Sequence, residues 1–528
     1  MSDPRQTGVR PPSHNGGMTT TTTAPAGIDP DAAYRAVESR DPRFDGRLFV
    51  GVLSTGIYCR PSCPSRTPHQ RNCLFFGTAA GCVAAGFRAC RRCRPDALPG
   101  SRDWDVDADL AGRALRMVGD GVVDEHGVAG LAGRLAVSPR HLHRVLVAQL
   151  GASPAQLAQT RRAQVARMLI EQTAWPMADV AFAAGFRSVR QFNAVMRAHV
   201  GAPPSSLRTG RALAAEPAER SSLTVQLRHR PPLAREAWIS HVAARAVPGL
   251  EAVDGPAVRR VVRARGGPVL AEVHLADGAV TAHLTDGAVT AHLTLTSLDD
   301  LSRVVGRLRH WLDLDADPAR VDGVLGADPL LAPLVARRPG LRVPGTVDAA
   351  ELALRAVLGQ QISVAAARTI TARLVAALGE PTPWGLRQFP TPGQVREAGV
   401  DVLRGIGLTG ARAATVVGVA ALLDSGLALG PGADRDLARA ELAGVRGVGP
   451  WTVEYIALRG LADPDAFPAD DLVLRRALGG VSPREAVRRA EAWRPWRGYA
   501  AQHLWTAAGS AVPDLAVPNL AVPNLEET

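Results

Sequence analysis

Four cysteines stand in two short-spaced pairs, Cys59-x3-Cys63 and Cys90-x2-Cys93, separated by twenty-six residues. A tetrahedral Zn²⁺ takes four soft ligands at roughly 2.3 Å, and two such pairs joined by a loop reach that geometry with little chain strain. The predicted chemistry is a zinc site with Cys59, Cys63, Cys90 and Cys93 as ligands. Disulfides compete for the same residues. They suit small secreted domains, however, and no charged-then-apolar signal segment precedes residue 30. Cys73 and Cys82 fall at neither paired spacing and read as packed thiols.

A second centre lies in LAGVRGVGPWTVEY (442–455), where a glycine-flanked turn opens into a helix. Gly447 and Gly449 would let backbone N–H groups approach a phosphate, and a helix start adds partial positive charge. Twenty residues after Trp451 comes Asp470-Asp471 in FPADDLVLRRAL, at the start of another helix. On its own an acidic residue there is a helix cap.

The elements that position these residues differ along the chain. Residues 1–30 are rich in Thr, Pro, Gly and Ser and read as a disordered arm. A zinc module follows over 31–98. Over 99–208 the pattern is helical, with two similar helix-turn-helix units, 128–151 and 177–201. In the first, Ser138 caps a helix with Pro139 at its first position, exposing Arg140, His141, His143 and Arg144. In the second, Gly185 suits the turn and Ser188 the cap, presenting Arg190, Gln191 and Asn193. Such side chains can read base edges. Two units about one DNA turn apart, roughly 34 Å, could enter successive major grooves.

Residues 209–222 read as a polar, alanine-rich linker. A β-rich region runs over 223–320, where DGAVTAHL at 277–284 recurs at 286–293 and would lengthen a hairpin. Helices dominate 321–510, and the repeated prolines of 511–528 suggest a disordered tail. The fold class expected is multidomain and mainly α with α+β parts: a small zinc module, a tandem helix-turn-helix domain, a β-rich subdomain and a helical domain. Net charge is +11 with a pI near 10.4, which favours a polyanionic partner and makes double-stranded DNA the first candidate. No apolar run approaches the roughly 18 residues that span a bilayer, so no membrane association and a cytoplasmic, nucleoid-associated location are expected.

Four motifs in order, RAVLGQQISVAAA (355–367), GVGPWTVEYIALRG (447–460), FPADDLVL (467–474) and WRPWRGYAAQHLW (493–505), resemble the helix-hairpin-helix superfamily of base-excision DNA glycosylases. Within it the resemblance is to 3-methyladenine DNA glycosylase II, the AlkA type, over about 223–510. It implies that the hairpin at Gly447 and Gly449 grips backbone phosphate and that Asp471 is catalytic. It also implies that Trp451, Tyr455 and Trp505 hold the everted base. Gln361 lies where such enzymes can use an apolar wedge, and Leu472 and Thr506 stand beside positions where relatives can present aromatics. Trp493 and Trp496 read as core packing.

Alkylation at a ring nitrogen makes a base cationic and weakens its glycosidic bond, so a strong general acid is dispensable. A carboxylate that stabilises charge growing on the sugar is still needed. Indole faces would favour a cationic base, by roughly 0.5–2 kcal/mol per contact, so selectivity is expected to follow charge more than shape. All 61 basic residues are arginines. Glycosylase/lyases form a Schiff base through a lysine, and Trp451 stands where those relatives place it. The C-terminal half also lacks cysteines for an iron–sulfur cluster. A monofunctional glycosylase is the consistent reading.

TGIYCRPSCPSR (55–66) and AAGFRACRRCRPD (84–96) resemble the Ada regulators, which join a zinc module to an AraC-type DNA-binding domain. The resemblance covers 31–208. It implies irreversible methyl transfer from a DNA methylphosphotriester to Cys59, with RNA polymerase as a partner in transcription activation. The second Ada acceptor motif, Pro-Cys-His-Arg, is absent, so repair of O6-methylguanine is not expected. The rival reading is a DNA-binding regulator whose C-terminal half binds lesions without cutting.

Overall fold

A computed structural model describes residues 29–41, 44–96, 106–208, 222–275 and 287–509. The tail, the linker up to residue 221, the arm up to residue 28 and the first copy of the duplicated octapeptide lie outside the described residues. The chain divides into two compact units, Met1–Asp109 and Leu110–Thr528.

In the first unit a helix, Pro30–Glu38, starts where Asp29 accepts the Asp31 N–H. A four-stranded sheet follows in the order β3-β1-β2-β4, from β1 Phe49–Val52, β2 Ile57–Cys59, β3 Cys73–Phe76 and β4 Arg88–Ala89. Its register is what makes the metal cluster. β2 and β4 run parallel with Tyr58 opposite Ala89, and the Cys90 N–H donates to the Tyr58 carbonyl at 3.0 Å. Cys59 and Cys90 are therefore neighbours across the sheet. Cys73 and Cys82 pack into the small cores. Burial raises their thiols to about 11 and about 12, as expected of packed rather than reactive groups.

The second unit begins with helices. Val122–Arg134 and Pro139–Leu150 form the first helix-turn-helix, Met177–Ala183 and Val189–Val200 the second, with the 19-residue helix Pro154–Gln172 between them. Ser138 Oγ accepts the His141 N–H and Ser188 Oγ the Gln191 N–H, both at 3.2 Å, so both helices start at the expected caps. Gly185 takes the turn of the second unit at φ +87°.

A five-stranded antiparallel sheet comes next in the order β5-β9-β8-β7-β6. Its strands are β5 Ser222–Arg228, β6 Glu251–Asp254, β7 Ala257–Ala264, β8 Gly267–His274 and β9 Ala288–Thr294. The second copy of the octapeptide supplies β9. The sheet shares a core with helices Arg235–Arg245 and Leu301–Leu312, where Trp238 and Trp311 meet edge to face at 5.0 Å. The same core takes in the C-terminal half of Pro154–Gln172 and the second helix-turn-helix. The Gln172 side chain covers the edge of β5 by accepting the Gln226 N–H at 2.8 Å. Glu125 pairs with Arg265 and Arg303, and Arg113 with Asp434. The second helix-turn-helix and the sheet thus share one interior, whereas the first has a core of its own.

The remaining helices surround two further cores. A buried ionic quartet joins them to the sheet. Arg260 of β7 holds Glu251 and Glu351, each at 2.8 Å, and Arg355 holds the same two carboxylates at 3.1 and 2.8 Å. Burial pushes the Glu251 carboxyl up, but Arg355 and Arg260 outweigh it and hold it below the usual value. Removing one member of such a set leaves an uncompensated buried charge, at about 3–5 kcal/mol. Among the described residues no helix is long and apolar enough to cross a membrane.

Candidate functional site

In the first unit the sulfurs of Cys59, Cys63, Cys90 and Cys93 all lie within 4.8 Å of one another, and all four residues are buried. Ligands at roughly 2.3 Å from a tetrahedral centre sit about 3.8 Å apart, so the cluster fits Zn²⁺ in donor type and in size.

On helices Pro139–Leu150 and Val189–Val200, Arg140, His143, Arg144, Arg190 and Gln191 are exposed, while His141 and Asn193 are half-buried. His141 Nδ1 meets the Arg144 guanidinium at 2.9 Å, and the Gln191 amide oxygen accepts the Arg187 N–H at 3.3 Å. Five of the seven expected residues are thus exposed at the first turns, and His141 and Asn193 are exposed only in part.

The C-terminal cleft has a volume of about 1830 Å³, and three chain segments converge in it. Helix Pro450–Arg459 starts at the glycine turn with proline at its first position, as the sequence implies. Its residues Trp451, Tyr455 and Arg459 are spaced by four and share one face. Asp471 is the N-cap of Leu472–Ala477. Trp505 lies on Arg497–Gly509.

Asp471 is where they meet. The Trp451 indole N–H donates to Oδ2 at 2.7 Å, and that of Trp505 donates to Oδ1 at 3.1 Å. Oδ1 also accepts the backbone N–H groups of Val473 and Leu474, both at 2.9 Å. Four donors fix the carboxylate, and Asp471 both caps its helix and lines the aromatic cleft. Trp451 stacks on Tyr455 at 5.1 Å and 17°, and Tyr455 meets Trp505 edge to face at 6.5 Å.

Gln361 is exposed on the cleft with φ +55°. Leu472 is exposed, and it also lines the cleft with Thr506. Trp493 is buried and donates to Asp328 at 2.7 Å, and Trp496 packs on Tyr499. Trp493 is a core residue, and Trp496 packs against the same core while partly exposed. Gly447 has φ +92°, and a Cβ there would lie 2.2 Å from Thr415 Oγ1. Gly449 is open, with nothing within 4 Å of a Cβ.

Two residues of the site escape the sequence reading. Gln360 braces the hairpin by donating to the Gly447 carbonyl at 3.1 Å and to Thr452 Oγ1 at 2.8 Å. Arg459, buried in the cleft, lies over the Tyr455 and Trp505 rings. The four-residue spacing from Trp451 through Tyr455 is the signal that could have found it.

Four family profiles match the chain in sequence. These are the metal binding domain of Ada over residues 32–96 and a helix-turn-helix domain over 131–210. The AlkA N-terminal domain follows over 224–348, then the HhH-GPD superfamily base excision DNA repair protein over 354–496. The chain is 47% identical over 489 residues to the "Probable bifunctional transcriptional activator/DNA repair enzyme AlkA" of Mycobacterium tuberculosis, covering 90% of this chain and 96% of that protein. It is 37% identical over 208 residues to the "DNA-3-methyladenine glycosylase 2" of Escherichia coli, covering 39% of this chain and 72% of that protein. It is 35% identical over 134 residues to the "Bifunctional transcriptional activator/DNA repair enzyme Ada" of Escherichia coli, covering 25% of this chain and 36% of that protein.

Fold and matches together define a fusion of an Ada-type metal-binding module and a helix-turn-helix domain with an HhH-GPD domain. The chain belongs to the family of bifunctional transcriptional activator/DNA repair enzymes AlkA.

The hairpin geometry gives a direct test. Gly447→Ala forces a left-handed backbone on a side chain and drives its Cβ into Thr415, for a loss of about 1–3 kcal/mol. The expected result is a lower melting temperature, partly restored by adding Thr415→Ala. Unchanged melting in the single variant would contradict the geometry.

Proposed function

We propose that this chain is a DNA methylphosphotriester sensor and transcription activator fused to a monofunctional DNA glycosylase that excises alkylated bases such as 3-methyladenine. The observation that carries the enzymatic part is the Asp471 carboxylate, held by the Trp451 and Trp505 indoles in an aromatic cleft. We assign the zinc module to 31–98, the AraC-type domain to 99–208, and the glycosylase to 223–320 and 321–510.

An alkylated nucleotide everted from the duplex enters the cleft, with the hairpin at Gly447 and Gly449 on the backbone phosphate and Gln361 at the gap. The C1′–N bond breaks, and its electron pair leaves with the base, which departs neutral. Positive charge develops on the sugar. Asp471, oriented by its four donors, stabilises that charge without reorganising. Water adds at C1′ and gives up its proton, leaving an abasic site and a free base. The faces of Trp451 and Trp505 stack on the base.

At the other centre the Cys59 sulfur attacks the methyl carbon of a methylphosphotriester. An S–CH₃ bond forms, and the C–O bond breaks with its pair on the phosphate oxygen. The product is a stable thioether, so the reaction is single-turnover. Zinc, when bound by Cys59, Cys63, Cys90 and Cys93, keeps the sulfurs as thiolates. Methylation removes one negative charge, lowers repulsion from phosphate and strengthens DNA binding. The two recognition helices then place the protein at a promoter, where RNA polymerase is the partner. The location is cytoplasmic, on the nucleoid.

Two measurements test this reading. Asp471→Asn is expected to slow single-turnover release of 3-methyladenine by about 100-fold or more, with abasic-duplex binding retained. Equal, negligible release by both proteins would end the enzymatic assignment and favour lesion binding without cutting. Mass spectrometry after exposure to methylated DNA should find an adduct of about 14 Da on Cys59 and none in Cys59→Ala, as expected for a thiolate nucleophile. An unmodified Cys59 would leave a purely structural zinc knot.

A further inference from the structure

Helix Val106–Gly119 falls between the ranges matched by two of the family profiles, 32–96 and 131–210, and neither the metal site nor the excision chemistry uses it. Its contacts within the second unit run two ways. Leu110, Ala111, Ala114 and Val118 pack into the core of the first helix-turn-helix. Arg113, Arg116 and Met117, spaced by three and four, share the adjoining face and meet the segment 430–434.

That segment begins the helix-hairpin-helix. Asp434 caps helix Arg435–Gly444 by accepting the Leu437 N–H on Oδ1 at 3.1 Å, and its Oδ2 takes the Arg113 guanidinium at 3.2 Å. The Arg113 and Asp434 side chains are only 11% and 18% exposed, so the pair is screened less than one on an open surface. Arg116 donates to the Pro431 carbonyl. Met117 fills the space that a side chain at position 432 would need: a Cβ on Gly432 would lie 2.3 Å from Met117 Cγ. An ion pair, a hydrogen bond and a steric fit together seat one helix on the start of the other.

Helix Arg435–Gly444 carries this contact onward. Its ten residues span about 15 Å, from Asp434 to the turn that holds Gly447 and Gly449. Arg439 ties it to Glu454 and to Asp463, each at 2.7 Å. Glu454 lies on the same helix as Trp451. The placement of helix Arg435–Gly444 therefore sets where the hairpin turn stands relative to the cleft.

We propose that helix Val106–Gly119 is a positioning element for excision: through Arg113 it holds Asp434, and with it the helix that leads into the hairpin, so that the DNA-reading half of the chain sets how tightly the excision half grips lesion DNA. The inference rests on the glycosylase reading and adds an intramolecular partner to it. Arg113 touches neither Asp471 nor the cleft, so its effect falls on the grip and not on bond breaking.

The test uses the full-length protein and a duplex carrying 3-methyladenine, with single-turnover release followed over a range of folded-enzyme concentrations. Each profile gives a maximal rate and the concentration at half that rate. In Arg113→Ala the half-maximal concentration should rise about three- to tenfold, with the maximal rate within about twofold of wild type. Asp434→Asn should do the same, because asparagine still caps the helix but gives up the ion pair. Gly432→Ala should match them by displacing Met117 while every charge stays in place. Arg113→Lys, which keeps the charge, should stay within about twofold of wild type. Combining Arg113→Ala with Asp434→Asn should add little to either alone, as expected of two partners in one contact. Glu125→Gln weakens the contacts to Arg265 and Arg303, away from the hairpin, and should leave the half-maximal concentration unmoved.

A role in stability alone would lower the melting temperature and the active fraction in Arg113→Ala, Asp434→Asn and Gly432→Ala with the wild-type half-maximal concentration, and that result would overturn the proposal. A shift in Glu125→Gln as large as theirs would overturn it too. If Arg113→Ala does not fold, Asp434→Asn decides. Negligible release by wild type and Asp471→Asn alike would sink the excision reading itself. Ordinary wild-type release with an unmoved half-maximal concentration in the variants sinks this inference alone.

Discussion

One carboxylate gripped by two indole N–H groups organises the C-terminal half of this protein. Asp471 would be a plain helix cap if only Val473 and Leu474 donated to it. The hydrogen bonds from Trp451 and Trp505 bring in the hairpin helix and the last described helix. Hydrogen bonds to a charged acceptor contribute about 1.5–3 kcal/mol each, and here they also fix the planes of the two indole rings that line the cleft. The same contacts therefore set the position of the carboxylate and the shape of the cleft.

The surroundings keep this arrangement rigid. Gln360 ties the hairpin to the segment before it, and the quartet of Arg260, Glu251, Glu351 and Arg355 fastens the sheet to the helices that line the cleft. The helix-turn-helix region belongs to the same compact unit. Its second helix-turn-helix shares a core with the sheet, the first has a core of its own, and Gln172 covers the edge of β5.

Much of this was legible in the sequence because local chemistry decides it. Ser138, Ser188 and Pro139 mark helix starts by satisfying or lacking specific N–H groups, and those starts fall where expected. Paired cysteines mark a metal cluster, although only the parallel register of β2 and β4 explains why Cys59 adjoins Cys90. What was hidden depends on long-range burial. Arg260 on a strand and Arg459 on a helix are both buried, and nothing local in the sequence marks them so.

The grip on Asp471 is tested most directly by removing the two N–H donors while keeping aromatic rings. In Trp451→Phe/Trp505→Phe the account predicts single-turnover excision slowed by about 10- to 100-fold, since two donors to the stabilising carboxylate are lost, with affinity for an abasic duplex little changed. Excision at the wild-type rate in the folded double variant would contradict it.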